Sequence, residues 1–207
     1  MKRSRTKSII SWVLSLTMIA TGVALVASFF LAGSLNSTAT NSNDAGSFNI
    51  PKLDAANGGT PGGPKDKILK LTVPKMSQLE NDPVPTVPGT NKQALGLHAA
   101  IHLAGTGFPW EEEANVYLAG HRLGYPRTDS FLAFFDLNKL EVGDEIYLTD
   151  ANGTKYTYEV FKEYVVSPAD LSVTKAVPGK NILTLQTCTL PDYSQRLIVQ
   201  AELVTTA

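Results

Sequence analysis

An uncharged stretch near the N-terminus divides this 207-residue chain into parts that must fold in different surroundings. Residues 8–33 contain no Asp, Glu, Lys or Arg, and about 20 apolar residues are enough for a helix to cross a bilayer. The stretch is longer than the roughly 7–15 apolar residues of a removable signal peptide, and no small-x-small cleavage site stands out. We therefore predict a single, uncleaved transmembrane helix at residues 9–33.

Basic residues on one side of this span predict its orientation. Residues 1–8 contain four Lys and Arg, and no other basic residue follows until Lys52. Because basic flanks stay inside the cell, we predict a cytoplasmic tail at 1–8, a single-pass location in the cell membrane, and an extracellular remainder. That remainder has 14 Lys and Arg against 19 Asp and Glu. Such an acidic balance argues against nucleic acid as a partner.

The extracellular part begins with a segment of low complexity. Residues 34–66 are rich in Asn, Ser, Thr, Gly and Pro, a composition that buries too little apolar surface to fold. We interpret them as a flexible linker, which spans about 30 Å for a chain of this kind. The folded domain is predicted at residues 67–207, a length typical of one domain.

Most of this domain is predicted to be β-structure. A hairpin is expected at Asn152-Gly153, a strong turn signal. Short helices are predicted at 91–98 and 130–140, and 83–90 is extended or looped. Alternation of apolar and polar residues predicts the strands, which are 67–73, 115–122, 143–150, 155–166, 182–188 and 196–204. The fold class is therefore all-β, a barrel or sandwich with one or two short helices.

The alternation also predicts which side chains share a face. In the strand that ends at Cys188, Leu183 and Leu185 take the core face, so the cysteine points the other way. The same reasoning turns His121, at the end of its strand, and Arg196, at the start of its strand, away from the core. The sequence thus predicts a thiol, an imidazole and a guanidinium at outward strand ends.

These three groups suit one chemistry. Cys188 is the only cysteine, so it cannot form a disulfide within the chain. A thiolate is a nucleophile, a histidine can protonate a departing amine, and a fixed arginine can bind an oxyanion. Taken singly, a lone cysteine is more often an inert buried thiol, and His121 and Arg196 would pass for surface groups. Their conjunction favours acyl transfer through a thioester.

The motifs around these residues resemble those of the sortases, membrane-anchored cysteine transpeptidases of Gram-positive bacteria. The resemblance covers about residues 67–207. It rests on four segments, which are "HLAGTGFP" (102–109), "LAGHR" (118–122), "LNKLEVGDEIYL" (137–148) and "TLQTC" (184–188) with an arginine eight residues on. The combination is most similar to class E.

The resemblance implies a role for each motif residue and a more definite fold. Cys188 would be the nucleophile, His121 the general acid and base, and Arg196 the residue that binds the oxyanion or positions the substrate. Thr187, which precedes the nucleophile, would help to hold the intermediate as a substrate-binding residue. The implied fold is a closed, eight-stranded β-barrel, and neither a cofactor nor a catalytic metal is expected.

The resemblance also implies partners. Sortases cleave a C-terminal LAxTG-like or LPxTG-like sorting signal of a surface protein between Thr and Gly. They then transfer the acyl group to a cell-wall amine, such as that of a peptidoglycan precursor. Two alternatives remain open from the sequence, namely a pilin-polymerising sortase with a lysine acceptor and a catalytically silent surface-binding module.

Three further features lie near the motifs. "WEEEAN" (110–115) departs from the Gly-rich turn usual in the family, and its acidic residues 111–113 are either a solvated run or a calcium-binding loop. His98 and His102 have the spacing of a helical metal pair but lack an HExxH pattern, so we expect His102 to pack beside the active groove. The loop 167–181 is predicted to form a wall of the sorting-signal pocket.

Overall fold

The computed structural model describes Met18 and residues 63–207. The predicted tail at 1–8, the span at 9–33 and the linker at 34–66 therefore lie outside the described residues, apart from Met18 and residues 63–66. Among the residues described, no helix is both long enough and apolar enough to cross a membrane. All of them except Met18 belong to one compact unit.

The described part of the chain contains nine strands, one α-helix and two short 3-10 helices. The α-helix, α1, is Lys92–Leu97, and the 3-10 helices are Leu137–Lys139 and Ser172–Thr174. The strands are β1 (Leu69–Thr72), β2 (Asp82–Val84), β3 (Thr86–Val87), β4 (Ile101–Leu103), β5 (Asn115–Ala119), β6 (Glu145–Thr149), β7 (Lys155–Val166), β8 (Ile182–Cys188) and β9 (Arg196–Thr206).

All nine strands form a single sheet that nearly closes into a barrel. Their order is β2-β1-β6-β7-β9-β8-β5-β4-β3. The edge strands β2 and β3 are separated in the chain only by Pro85, whose carbonyl accepts a hydrogen bond from the backbone N–H of His102 at 3.0 Å. One segment, 82–87, therefore pairs with β1 on one side and β4 on the other. The predicted barrel is confirmed, and its eight expected strands become nine because this segment counts as two.

The predicted strand faces are confirmed, but the outer face is not solvent-exposed. Leu183 and Leu185 belong to the cluster inside the barrel, as predicted. Cys188 belongs to a second apolar cluster on the other side of the sheet. Leu95 of α1 and Val173 of the second 3-10 helix belong to this outer cluster. As a result all seven positions of β8 are buried.

The helix predicted at 130–140 is wrong. Only Leu137–Lys139 is helical there, as a 3-10 turn. Leu132 has a φ of 56°, which an α-helix does not allow. Its backbone N–H donates to the carbonyl of Leu123, and that of Phe134 donates to the carbonyl of His121. Hydrogen bonds to the 121–123 segment thus replace those of a helix.

The strand predicted at 115–122 ends earlier, at Ala119, whereas the first helix and the hairpin hold. The helix predicted at 91–98 is α1, and the Asn91 side chain caps it by accepting from the backbone N–H of Ala94 at 3.0 Å. The hairpin between β6 and β7 turns at Asn152-Gly153, where Gly153 has a φ of 88°. That conformation favours glycine because it has no Cβ.

His102 faces the barrel interior, so its predicted position beside the active groove is wrong. Its neighbours in β4, Ile101 and Leu103, belong to the outer cluster, and side chains alternate along a strand. The Nε2 atom lies 3.0 Å from the carbonyl oxygen of Gly107, and Nδ1 lies 3.0 Å from the hydroxyl of Thr86. A carbonyl can only accept, so the ring proton sits on Nε2.

Burial keeps this imidazole neutral. His102 is fully buried, and desolvation lowers its pKa to about 4, although the Gly107 carbonyl acts in the opposite direction. The unfolded chain would bind a proton near pH 6.5. Because the folded chain resists that protonation, the free energy of unfolding that the neutral imidazole contributes is fully present above pH 6.5. It is lost as the pH falls towards 4.

We predict that His102→Gln weakens the pH dependence of stability. Between pH 7 and pH 5 the wild type should lose about 2 kcal/mol more of its free energy of unfolding than the variant, because only the wild type carries this imidazole. Urea denaturation at a series of pH values measures the difference. An unchanged slope in His102→Gln would contradict the assignment.

Candidate active site

Cys188 and Arg196 face each other across the β8–β9 pair. They are register partners, at the last residue of β8 and the first residue of β9. Side chains of such opposed residues lie on the same face, with Cβ atoms about 4.5–5.5 Å apart. Both are almost fully buried, each with 3% of its surface exposed. The predicted thiol and guanidinium are therefore brought together.

His121 reaches the same end of the sheet from β5. The strands β5 and β8 are parallel, with Ala119 opposite Gln186. The ladder continues one step further, because the backbone N–H of Gly120 donates to the Gln186 carbonyl at 3.0 Å. His121 follows directly, two residues past the end of β5. It therefore leaves β5 at the end of the sheet where Cys188 ends β8 and Arg196 begins β9.

Thr187 holds the two strands together at this point. It is fully buried, and its hydroxyl donates to the carbonyl of Gly120 at 2.8 Å. This bond joins the residue before His121 to the residue before Cys188. The geometry assigns Thr187 to positioning the two neighbours, and its role in substrate binding stays a prediction.

The turn between β8 and β9 fixes the arginine. Arg196 Nη1 donates to the carbonyls of Tyr193 and Gln195, at 3.1 and 3.0 Å. The Gln195 carbonyl also accepts from the backbone N–H of Thr189 at 3.1 Å. The guanidinium is thus held by the backbone of the turn that follows the cysteine. A preorganised cation of this kind is suited to an anion that forms at the sulfur or at an attacked carbonyl.

The environment of Cys188 has opposing effects on its thiol. Burial raises the pKa above the usual range and is the largest effect, while the positive charges of Arg196 and Arg122 lower it. The net pKa remains raised. At neutral pH the cysteine is therefore mainly a thiol before substrate binds, and the reactive thiolate is a minor form.

Arg122 is a residue of this site that the motif analysis left unassigned. It follows His121 directly and is largely buried. Its Nη2 donates to the side-chain oxygen of Asn138, and its guanidinium lies 5.9 Å from the centre of the Phe135 ring. The signal in the sequence was the charge next to the histidine in "LAGHR". Strand alternation could not give its direction, because β5 ends at Ala119.

The loop between β7 and β8 covers the outer cluster beside the cysteine. Asn115, at the start of β5, donates through its amide to the carbonyls of Val173 and Lys175, both at 2.9 Å. The backbone N–H of Gly179 donates to the Glu113 carboxylate at 2.8 Å. These contacts hold the loop against the sheet, and Val173 belongs to the same cluster as Cys188. The loop therefore packs against the outer apolar cluster to which Cys188 belongs, and its role as a wall of the sorting-signal pocket stays a prediction.

The metal-ligand candidates do not converge. His98 ends α1 while His102 lies on β4, so they do not form a pair on one helix. Within Met18 and 63–207, no three His, Cys, Asp or Glu side chains are grouped so as to hold a metal ion. The acidic residue Glu113 instead anchors the β7–β8 loop through Gly179.

Comparison with known proteins decides the family. The sortase domain family matches residues 71–204, more than half of the chain. The chain belongs to the sortase family. The resemblance seen in the motifs is thereby confirmed at the level of the family, whose members are cysteine transpeptidases. The assignment of this chain to class E stays a prediction.

Individual relatives agree with this membership. Sortase A of Streptococcus agalactiae serotype III is 38% identical over 89 residues, which are 43% of this chain and only 36% of that protein. Among solved structures, Group B Streptococcus pilus island 1 sortase C2 has a TM-score of 0.58 and 31% identity, covering 66% of this chain and 73% of its own. Sortase A of Corynebacterium diphtheriae has a TM-score of 0.58 and 28% identity, covering 67% and 60%.

We predict that Thr187→Val impairs the site more than the fold. Valine fills a similar volume but leaves the Gly120 carbonyl without its donor, which should lower the free energy of unfolding by about 1–2 kcal/mol. Because the Gly120 carbonyl is directly before His121 in the chain, the rate of peptide cleavage should fall by more than the loss of unfolding free energy alone would explain. Thermal melts and initial rates of sorting-peptide cleavage measure the two effects. Thr184→Val, at a buried threonine three residues earlier in β8, is the matched control.

We also predict the protonation state of the free cysteine. The alkylation rate of Cys188 by iodoacetamide should reach half its maximum only above the usual thiol range, roughly pH 8.5, because burial outweighs the two cations. Because only the thiolate reacts and the pKa of the thiol is raised, the alkylation rate should still increase at pH values above that range. A Cys188 thiol that is fully ionised at pH 7 would contradict the raised pKa.

Proposed function

We propose that this chain is a membrane-anchored sortase that cleaves an LAxTG-like or LPxTG-like sorting signal between Thr and Gly. The acyl group would pass through Cys188 to a cell-wall amine. The observation that supports the proposal is that Cys188 and Arg196 are opposed across β8 and β9, while the Gly120–Thr187 bond ties the residue before His121 to β8. Membership of the sortase family supports the reaction type.

We propose the first half-reaction from the chemistry of these three groups. The Cys188 thiolate attacks the carbonyl carbon of the substrate threonine, and the oxyanion that forms is stabilised by the Arg196 guanidinium. His121, as imidazolium, gives its proton to the glycine nitrogen as the C–N bond breaks. The products are a thioester on Cys188 and a released peptide amine.

The second half-reaction reverses these roles. An incoming amine attacks the thioester carbonyl while neutral His121 accepts its proton. The new amide leaves, and Cys188 returns as a thiolate. Arg196 stabilises the oxyanion in both steps. This is consistent with its guanidinium, which backbone carbonyls hold in a fixed position.

The membrane anchor is proposed from the sequence alone. Residues 9–33 are long and apolar enough for one span, and the basic residues before it favour an extracellular domain. A linker at 34–66 would then hold the catalytic domain near the membrane surface, where exported surface proteins emerge. The proposed location is the cell membrane, with the N-terminus in the cytoplasm.

We predict that the full chain forms a thioester with a sorting peptide. Intact-protein mass spectrometry after mixing with an LAxTG peptide should show an added acyl mass on Cys188, which Cys188→Ala abolishes. Arg196→Gln should lower turnover by about 100- to 1,000-fold, as expected for the loss of an oxyanion donor, and Arg196→Lys should lower it less. Undiminished processing by Cys188→Ala would end the enzyme proposal.

A second candidate function differs only in the acceptor. Sortases of pilus islands, such as Group B Streptococcus sortase C2, are among the solved structures that this chain is similar to, and this favours testing a pilin lysine. The purified full chain should be given LAxTG or LPxTG peptide with either a glycine-type amine or a lysine-bearing pilin peptide. Faster transfer to lysine would support the pilin-polymerising alternative, and faster transfer to the glycine-type amine the cell-wall function.

A further inference from the structure

We propose that Tyr125 is a positioning residue that holds the imidazole of His121 in one orientation. The two rings are almost perpendicular, at 87°, and their centres lie 5.4 Å apart. This is the edge-to-face arrangement that aromatic rings favour. The inference rests on the proposed function, because it assigns Tyr125 to the histidine that would transfer the proton.

The backbone around His121 is already fixed by hydrogen bonds. The N–H of Gly120 donates to the carbonyl of Gln186 at 3.0 Å, and its carbonyl accepts from the Thr187 hydroxyl at 2.8 Å. The carbonyl of His121 accepts from the N–H of Phe134 at 3.2 Å. These bonds leave the imidazole free to turn about its two side-chain torsions. A contact to the ring itself is needed to fix the direction in which it gives or accepts a proton.

A tight turn after the histidine brings Tyr125 to its ring. Gly124 has a φ of 61°, and a Cβ at this position would lie 1.9 Å from the carbonyl oxygen of Ser130. Only glycine fits so close to that backbone. The backbone N–H of Tyr125 then donates to the Ser130 hydroxyl at 3.1 Å, and its carbonyl accepts from the Thr128 hydroxyl at 2.8 Å. The loop therefore fixes the backbone of the tyrosine.

The same loop is tied to the end of α1. Ser130 is fully buried, and its hydroxyl donates to the carbonyl of Gly96 at 2.8 Å. The backbone N–H of Asp129 donates to the carbonyl of Leu97 at 3.1 Å. Gly96 also lies beside the Tyr125 ring, since a Cβ there would be 3.4 Å from Cε2. The tyrosine is thus supported by α1 as well as by its own turn, so its ring can restrain that of the histidine.

Core packing does not account for an aromatic residue at this position. Tyr125 has 51% of its surface exposed, so burial of its ring contributes only part of what a core tyrosine contributes. The hydrogen bonds that hold the turn come from its backbone, and other residue types could make them equally well. A contact that restrains the imidazole, in contrast, needs the ring.

The first test separates the ring from its hydroxyl group in the full chain. Tyr125→Ala removes the ring, and Tyr125→Phe removes only the hydroxyl. In cleavage of an LAxTG peptide, Tyr125→Ala should lower kcat about 3- to 10-fold, the range that one aromatic pair is worth, and leave KM within about twofold of the wild type. Tyr125→Phe should keep the wild-type kcat. Thermal melts verify that each variant is folded.

A second measurement needs no peptide. Diethyl pyrocarbonate modifies neutral imidazole, and peptide mapping by mass spectrometry gives the rate at His121 alone. This rate should rise about 3- to 10-fold in Tyr125→Ala, because the ring is no longer held against the tyrosine. It should stay unchanged in Tyr125→Phe. If the wild type cleaves no sorting peptide, the proposed function fails, while the modification rate still decides whether Tyr125 restrains the ring.

The control is Phe131→Ala, which removes another exposed aromatic ring from the same segment and should change neither rate. The proposal is overturned if folded Tyr125→Ala keeps the wild-type modification rate at His121. It is also overturned if Tyr125→Phe shows the full effect of Tyr125→Ala, since the hydroxyl would then act instead of the ring contact. A change in KM alone would likewise overturn it, because the tyrosine would then bind the peptide rather than position the histidine.

Discussion

The backbone pairing of β8 with both of its neighbours is the constraint on which the site depends. On one side β8 runs parallel to β5, and on the other it runs antiparallel to β9. A parallel neighbour ends where β8 ends, and an antiparallel neighbour begins there. This topology alone brings the end of β5, the end of β8 and the start of β9 to one edge of the barrel. Residues 188 and 196 are therefore opposed, and residue 121 leaves β5 at the same edge.

The central position of β8 also makes the Cys188 thiolate harder to form. A strand with sheet on both sides and apolar clusters on both faces excludes water, and β8 is buried along its whole length. Burial disfavours the thiolate that the reaction needs. The fixed cations Arg196 and Arg122 offset part of that cost. The net pKa stays raised, so most of the cysteine is protonated at neutral pH.

The sequence predicted the parts of the molecule in which apolar and polar residues alternate regularly. Alternation identified the faces of β8 correctly, because Leu183 and Leu185 do belong to the interior cluster. It could not reveal that the opposite face is covered, since that depends on α1 and the 167–181 loop, which are distant in the chain. The helix predicted at 130–140 failed because tertiary hydrogen bonds to 121–123 outweighed local propensity. Arg122 lies past the end of its strand, where no period applies.

The wrong prediction of a helix at 130–140 and the position of Arg122 have one structural cause. The carbonyl of His121 accepts from the Phe134 backbone, so the segment predicted as a helix instead packs against the chain that leaves β5. That packing brings Asn138 and Phe135 to the side chain of Arg122. An α-helix over 130–140 would satisfy its own backbone and leave the His121 carbonyl without this donor. Local irregularity in this segment therefore fixes the backbone that follows β5 and holds the Arg122 side chain in place.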